Sequence, residues 1–142
     1  MLTAIALLIC LVSSSIDLQG TLLTISDEAT IGPDQASQYQ NATECIISSA
    51  SGVSIQDQAF QGFTLLQNLT ITTSQISIQS TSFTGCTSIQ SVTLNAPTLS
   101  IQQGIFSSSP SLSIKYKGDS FNSNMASFVT MTINEFDIDV TG

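Results

Sequence analysis

The sequence predicts an α/β-type repeat solenoid, mostly β, with two short strands and a helical or 3-10 turn in each 23-residue repeat. Three observations carry that reading. The first is spacing: Ile55, Ile78 and Ile101 stand 23 apart, as do Phe60, Phe83 and Phe106, and as do Leu66, Ile89 and Leu112. Self-similarity at a fixed period of roughly 20–50 residues is the mark of stacked coils. The second is local alternation: Leu69-Thr-Ile71 and Ile76-Ser-Ile78 alternate apolar and polar, the period of a half-buried strand. The third is composition. The chain is 42% hydrophobic but only 8% charged, and 24 Ser, 17 Thr and 13 Gln replace the missing charge, so a core can form beneath a neutral, hydroxyl-rich surface.

Taken in order, the elements begin with an apolar run from Met1 to Val12, followed by Ser13-Ser14-Ser15. A run of this length before small residues reads as a secretory signal peptide, residues 1–15, cleaved near Ser14 or Ser15. It is too short to span a bilayer as a helix. It carries no basic residue, and a buried first strand is the alternative reading. Residues 16–29 form an N-terminal lead-in, and residues 30–142 a solenoid of about four to five coils, above the roughly three needed for stability. Within it, Ile31, Ala36, Ala42, Cys45 and Ile47 form a weak first copy, each 24 residues before Ile55, Phe60, Leu66, Leu69 and Ile71. Three strong copies follow, in which Phe60, Phe83 and Phe106 sit in mixed polar stretches suited to a turn that plugs one edge. No single coil closes a core; stacked coils bury their apolar faces on one another. Downstream, Phe128, Met131 and Ile133 repeat the 3-then-2 spacing of Leu66, Leu69 and Ile71, and Ile138 and Val140 repeat the step to Ile76 and Ile78. The segment from Lys117 to Ala126 is shorter than the rule and has no clear register. On this spacing Ile138-Asp-Val140 opens a new coil just before Gly142, which raises a second expectation, a truncated structural fragment of a longer array.

The repeat Ile-x-x-x-x-Phe-x-Gly-Cys-x-x-Ile/Leu-x-x-Val/Leu-x-Leu/Ile is best preserved from Ile78 through Phe83, Gly85, Cys86, Ile89 and Val92 to Leu94. It resembles the BspA-type class of leucine-rich repeat over roughly residues 30–140. The Cys slot holds Phe63 in the preceding copy and Ser109 in the following one. The resemblance implies a leucine-rich-repeat right-handed coil. It also implies a secreted or surface protein of the kind linked to adhesion to host protein or to other cells. Fold alone does not fix function.

Charge excludes several classes of function. The net charge is −8, with only Lys115 and Lys117 as cations, no Arg and no His. Two lysines cannot neutralise a nucleic-acid backbone or hold an anionic membrane surface. Without His there is no His-activated Ser or Cys nucleophile and no imidazole metal ligand. Cys10 leaves with the signal peptide; Cys45 takes a strand slot and Cys86 a turn slot almost two coils away, so both read as buried packing thiols, not a disulfide. Asp27-Glu28 and Asp137-x-Asp139 lack the spacing of a calcium loop and read as solvated charges. No cofactor, metal or catalytic residue is expected.

A binding face is expected on the outward side of the Leu69–Ile71 strand ladder. Its residues are Gln67, Thr70 and Thr72 in one coil, Gln90, Thr93 and Asn95 in the next, and Lys115 and Lys117 around Tyr116 in the third, with Thr130 and Thr132 beyond. Such a strip of short polar side chains suits partner binding on a solenoid. It also resembles the Thr-x-Thr ladders of ice-binding coils, but the lysines interrupt it. The sequons Asn41-Ala-Thr43 and Asn68-Leu-Thr70 are candidate N-glycosylation sites. The leading functional expectation is a secreted or cell-surface leucine-rich-repeat protein in adhesion, binding a protein or cell-surface glycan through this face. It excludes nucleic-acid partners and membrane insertion after signal cleavage. A polysaccharide-active solenoid is the enzymatic alternative, and no carboxylate pair is singled out for it.

Overall fold

The computed structural model describes residues 14–109, 111–123 and 133–140. The apolar run at residues 1–13 lies outside the described residues. Two sheets run along the chain, each built by stacking one strand per coil. The first runs β1 (Ser15–Gln19), β2 (Leu22–Ser26), β4 (Glu44–Ser49), β6 (Asn68–Thr73), β8 (Ser91–Asn95), β10 (Leu112–Gly118) and β12 (Ile133–Val140). The second runs β3 (Thr30–Ile31), β5 (Val53–Ile55), β7 (Gln75–Ile78), β9 (Thr98–Ile101) and β11 (Ser120–Ser123). Every pairing is parallel except β1 with β2, a hairpin that closes one end of the first sheet. The half-buried Ile16 and Leu18 of β1 pack on the core, so the segment expected as a lead-in carries strand structure that covers the first coil.

The register of the strands is the register of the repeat. Leu23, Cys45, Leu69, Val92 and Ile114 form one column, and Ile25, Ile47, Ile71, Leu94 and Tyr116 the next. All ten point inward and are buried. The second sheet adds Ile31, Ile55, Ile78 and Ile101, again buried. Alternation along each strand follows from the two-residue side-chain period of β structure. A one-residue slip would turn each of these columns into water.

Phe60, Phe83 and Phe106 close the side of the coils between the sheets. Phe60 and Phe83 stack at 4.9 Å and 2° between ring planes, and Phe83 meets Phe106 at 5.1 Å and 35°. Phe63 packs its edge on Phe60 at 5.2 Å. The Phe-x-Gly step has a backbone cause: Gly62 and Gly85 adopt φ of +77° and +82°, a left-handed conformation that costs glycine least. Among the described residues only the first coil turns this side by helix, with α1 (Pro33–Ala36) and a 3-10 turn (Ser37–Tyr39); the later coils use hydrogen-bonded turns. Pro33 suits a first helical position, and the Gln35 side chain accepts a bond from Gly32 N–H at 2.9 Å.

The C-terminal register differs from the spacing-based expectation. Phe136 pairs with Ile114, Ile138 with Tyr116 and Val140 with Gly118, so Ile138 and Val140 extend the first sheet and do not open a new coil in the second. The spacing 3-then-2 occurs twice, in Phe128-Met131-Ile133 and again in Ile133-Phe136-Ile138. The structure uses the second series. Its three-residue first step faces the two-residue step Leu112–Ile114, and a register shift between Leu112 and Ser113 absorbs the difference. Phe128 and Met131 lie outside the described residues. The segment without a clear register contains β11, with Phe121 in the Leu99 column and Ser123 in the Ile101 column.

Candidate functional site

The outward positions of the first sheet also form columns. The first holds Leu22, Glu44, Asn68, Ser91 and Ser113. The second holds Thr24, Ile46, Thr70, Thr93 and Lys115, and the third Ser26, Ser48, Thr72, Asn95 and Lys117. All are half-buried or exposed. Of the residues expected on the binding face, the structure places Thr70, Thr93 and Lys115 in one column. Thr72 and Asn95 are adjacent in another, where the Asn95 amide donates to Thr72 Oγ1 at 3.3 Å.

Gln67 and Gln90 fall just ahead of β6 and β8. They are joined by Gln90 N–H donating to the Gln67 carbonyl at 2.9 Å. With Ser88, Ile89 and Ser113 they line a shallow groove of about 490 Å³ along the edge of the strip. Every side chain there except Ile89 is uncharged and polar, so the groove offers hydroxyl and amide groups to a ligand. Thr130 and Thr132 lie outside the described residues.

Two features of the strip escape a reading of the strong repeats. Ile46 and Leu22 put half-buried aliphatic side chains into columns that are otherwise polar. Counting 24 residues back from Thr70 finds Ile46. Lys115 and Lys117 are both exposed on β10, so both cations of the chain share one strand. Asp137 and Asp139 of β12 are in register with them, while Glu44 occupies the other half of the strip.

The remaining candidate residues are structural. Cys45 and Cys86 are free and buried. Burial raises the Cys45 thiol far above its ordinary value. It pushes Cys86 up to about 12, outweighing an opposing main-chain hydrogen bond from Phe63. Neither is a thiolate nucleophile near neutral pH. Asp27 braces a corner, its main-chain N–H donating to Ser48 O at 2.8 Å and its carboxylate accepting from Ala50 N–H at 3.4 Å. Asp57 holds the next coil through bonds from Thr81 N–H at 3.1 Å and Thr81 Oγ1 at 3.0 Å, which lower its carboxyl below the ordinary range. Among the described residues no cluster of His, Cys, Asp or Glu could hold a metal ion, and no helix is long and apolar enough to cross a membrane. The sequon residues Asn41 and Asn68 are both exposed; Asn68 begins β6 and stands on the strip, whereas Asn41 lies in a turn ahead of β4.

A family model described as BspA type leucine rich repeat region matches residues 29–141 in six copies. No curated protein and no solved structure matches the chain.

Proposed function

Because the chain belongs to the BspA-type leucine-rich repeat family, we propose that it is a secreted or surface-displayed recognition module that takes part in adhesion. Repeats of this class generally mediate protein binding and are typically non-enzymatic. The finer reading assigns the contact to the outward side of the first sheet and the partner to a protein or cell-surface glycan. The observation that carries it is the ladder of short polar side chains in register across β6 and β8. Thr70 stands beside Thr93 and Thr72 beside Asn95, with no packing role in the core. Short side chains on a rigid ladder lose little conformational entropy when a partner covers them. The half-buried Ile46 and Leu22 add apolar area to the same surface.

Binding of the purified protein to cell surfaces and matrix proteins tests the assignment, beside a variant carrying Thr70→Glu, Thr93→Glu and Lys115→Glu. Three carboxylates introduced on one column repel one another and any partner fitted to hydroxyls, so saturable binding is expected to be lost while the circular dichroism spectrum is kept. Full binding by the folded variant would overturn the face assignment.

A further inference from the structure

We propose that Asn41 is an N-glycosylation site whose oligosaccharide covers Leu65. The inference rests on the secreted reading above and adds a modification with a structural task. Asn41-Ala-Thr43 has the acceptor pattern. Asn41 is exposed, and the following Ala42 is buried with its N–H donating to Tyr39 O at 3.0 Å. One coil on, the same turn recurs: Leu66 is buried and its N–H donates to Phe63 O at 3.2 Å. Asn41 and Leu65 therefore hold the same outward slot in consecutive coils, a separation of roughly 4.8 Å set by strand stacking. Leu65 is 49% exposed, and no other large hydrophobic side chain is so exposed among the described residues. The two coils that follow fill this slot with Ser88 and Ser111. The exposed hydrophobe thus occurs in the same slot as Asn41, one coil on, and the slot turns polar in the two coils beyond.

In the reaction, the Asn41 amide nitrogen attacks the anomeric carbon of an oligosaccharide carried on a lipid diphosphate, the donor of a glycosylating secretory pathway. A carbon–nitrogen bond forms, the carbon–oxygen bond to the diphosphate breaks, the nitrogen gives up one proton, and the lipid diphosphate leaves. Thr43 Oγ1 donates to Thr21 Oγ1 at 2.9 Å in the folded chain, so transfer precedes closure of this turn. The apolar C–H faces of the first sugar rings, rooted one rung from Leu65, then shield it from water. Asn68 has the opposite setting, since a glycan there would stand on the recognition strip.

The test uses the full chain carrying Asn68→Gln, secreted from eukaryotic cells behind an added leader. Intact mass is expected to show one glycan, lost in Asn41→Gln. Enzymatic removal of that glycan is expected to raise the fluorescence of an apolar surface dye, and Leu65→Ser is expected to abolish the rise. An unmodified Asn41 on the secreted protein would overturn the proposal, as would a rise that persists in Leu65→Ser. The same chain without the added leader tests secretion separately: retention inside the cell would sink the secreted reading, while glycosylation of the leader-directed chain is read independently.

Discussion

Phe83→Ala tests whether the ring stack holds the coils together. The Phe83 side chain is wholly buried, parallel to Phe60 at 4.9 Å and tilted against Phe106 at 5.1 Å. Truncating a buried Phe to Ala costs about 3–5 kcal/mol, through lost transfer energy and the cavity left behind. Each ring pair contributes about 0.5–1.5 kcal/mol beyond area burial. A domain of this kind holds about 5–15 kcal/mol in total, so the substitution removes a large fraction of its stability. A gentler series isolates the rings. Leu keeps much of the apolar volume and drops the ring contacts. Among the described residues, Phe60 has ring neighbours in Phe63 and Phe83, and Phe83 has them in Phe60 and Phe106. Phe60→Leu and Phe83→Leu should each lose two pairs, about 1–3 kcal/mol. Urea unfolding followed by far-ultraviolet circular dichroism reads the loss as a lower midpoint with an unchanged slope. If Phe83→Leu cost under about 0.5 kcal/mol, or Phe83→Ala under about 1 kcal/mol, the stack would not be what joins the coils.

Gly118→Ala should destabilise the protein by about 1–3 kcal/mol in the same assay, because a methyl group there would collide with the Ala96 carbonyl and the Tyr116 ring. A thermal melt unchanged from the native protein would refute that close approach. Thr73 Oγ1 is buried with no hydrogen-bond partner, so Thr73→Val should leave stability unchanged or raise it by about 1 kcal/mol, and a lower urea midpoint would show a hidden partner. For Asp57 the bonded carboxylate has a lowered pKa, so its contribution is present above the ordinary carboxylate range and is lost as pH falls through the lowered value. Asp57→Asn should accordingly lower the melting temperature at neutral pH and lose that deficit in acid; a deficit independent of pH would contradict it. Partner association through Thr70 and Thr93 should depend weakly on salt, because this part of the ladder is uncharged; a steep fall in on-rate with ionic strength would instead assign the contact to the lysines.

The inward half of the fold is legible because packing restricts it. Ile55, Ile78 and Ile101 must be apolar and of similar size to stack on one another, so the repeat survives in the sequence. The weak first copy is legible for the same reason: Cys45 and Ile47 stand in register with Leu69 and Ile71 despite the changed residue types. Spacing fails where two series compete. Phe128-Met131-Ile133 and Ile133-Phe136-Ile138 are equivalent as patterns, and only main-chain pairing across the shift at Leu112 and Ser113 decides between them. The hairpin of β1 and β2 is hidden because its first strand runs antiparallel and has no counterpart in the repeat. Ser82 is hidden in another way: it takes the buried slot of Ala59 and Ile105, and its hydroxyl lies 2.7 Å from Gln79 O and 2.9 Å from Gln56 O. A hydroxyl in an apolar slot makes sense only after the carbonyls of two coils are counted.

The outward face obeys the opposite logic. Parity alone places Thr70 and Thr93 outside once Leu69, Ile71, Val92 and Leu94 are inside, so membership of the strip is legible although its chemistry is not. The fold asks only that these positions tolerate water. Ile46 and Leu22 go beyond that tolerance, since a solvated strand gains nothing from half-exposed aliphatics in columns otherwise built of polar and charged side chains. On the adjoining strand Asp137 and Asp139 are in register with Lys115 and Lys117. The uncharged middle of the sheet, from Ile46 through Thr70 to Thr93, is the surface whose composition the fold does not explain.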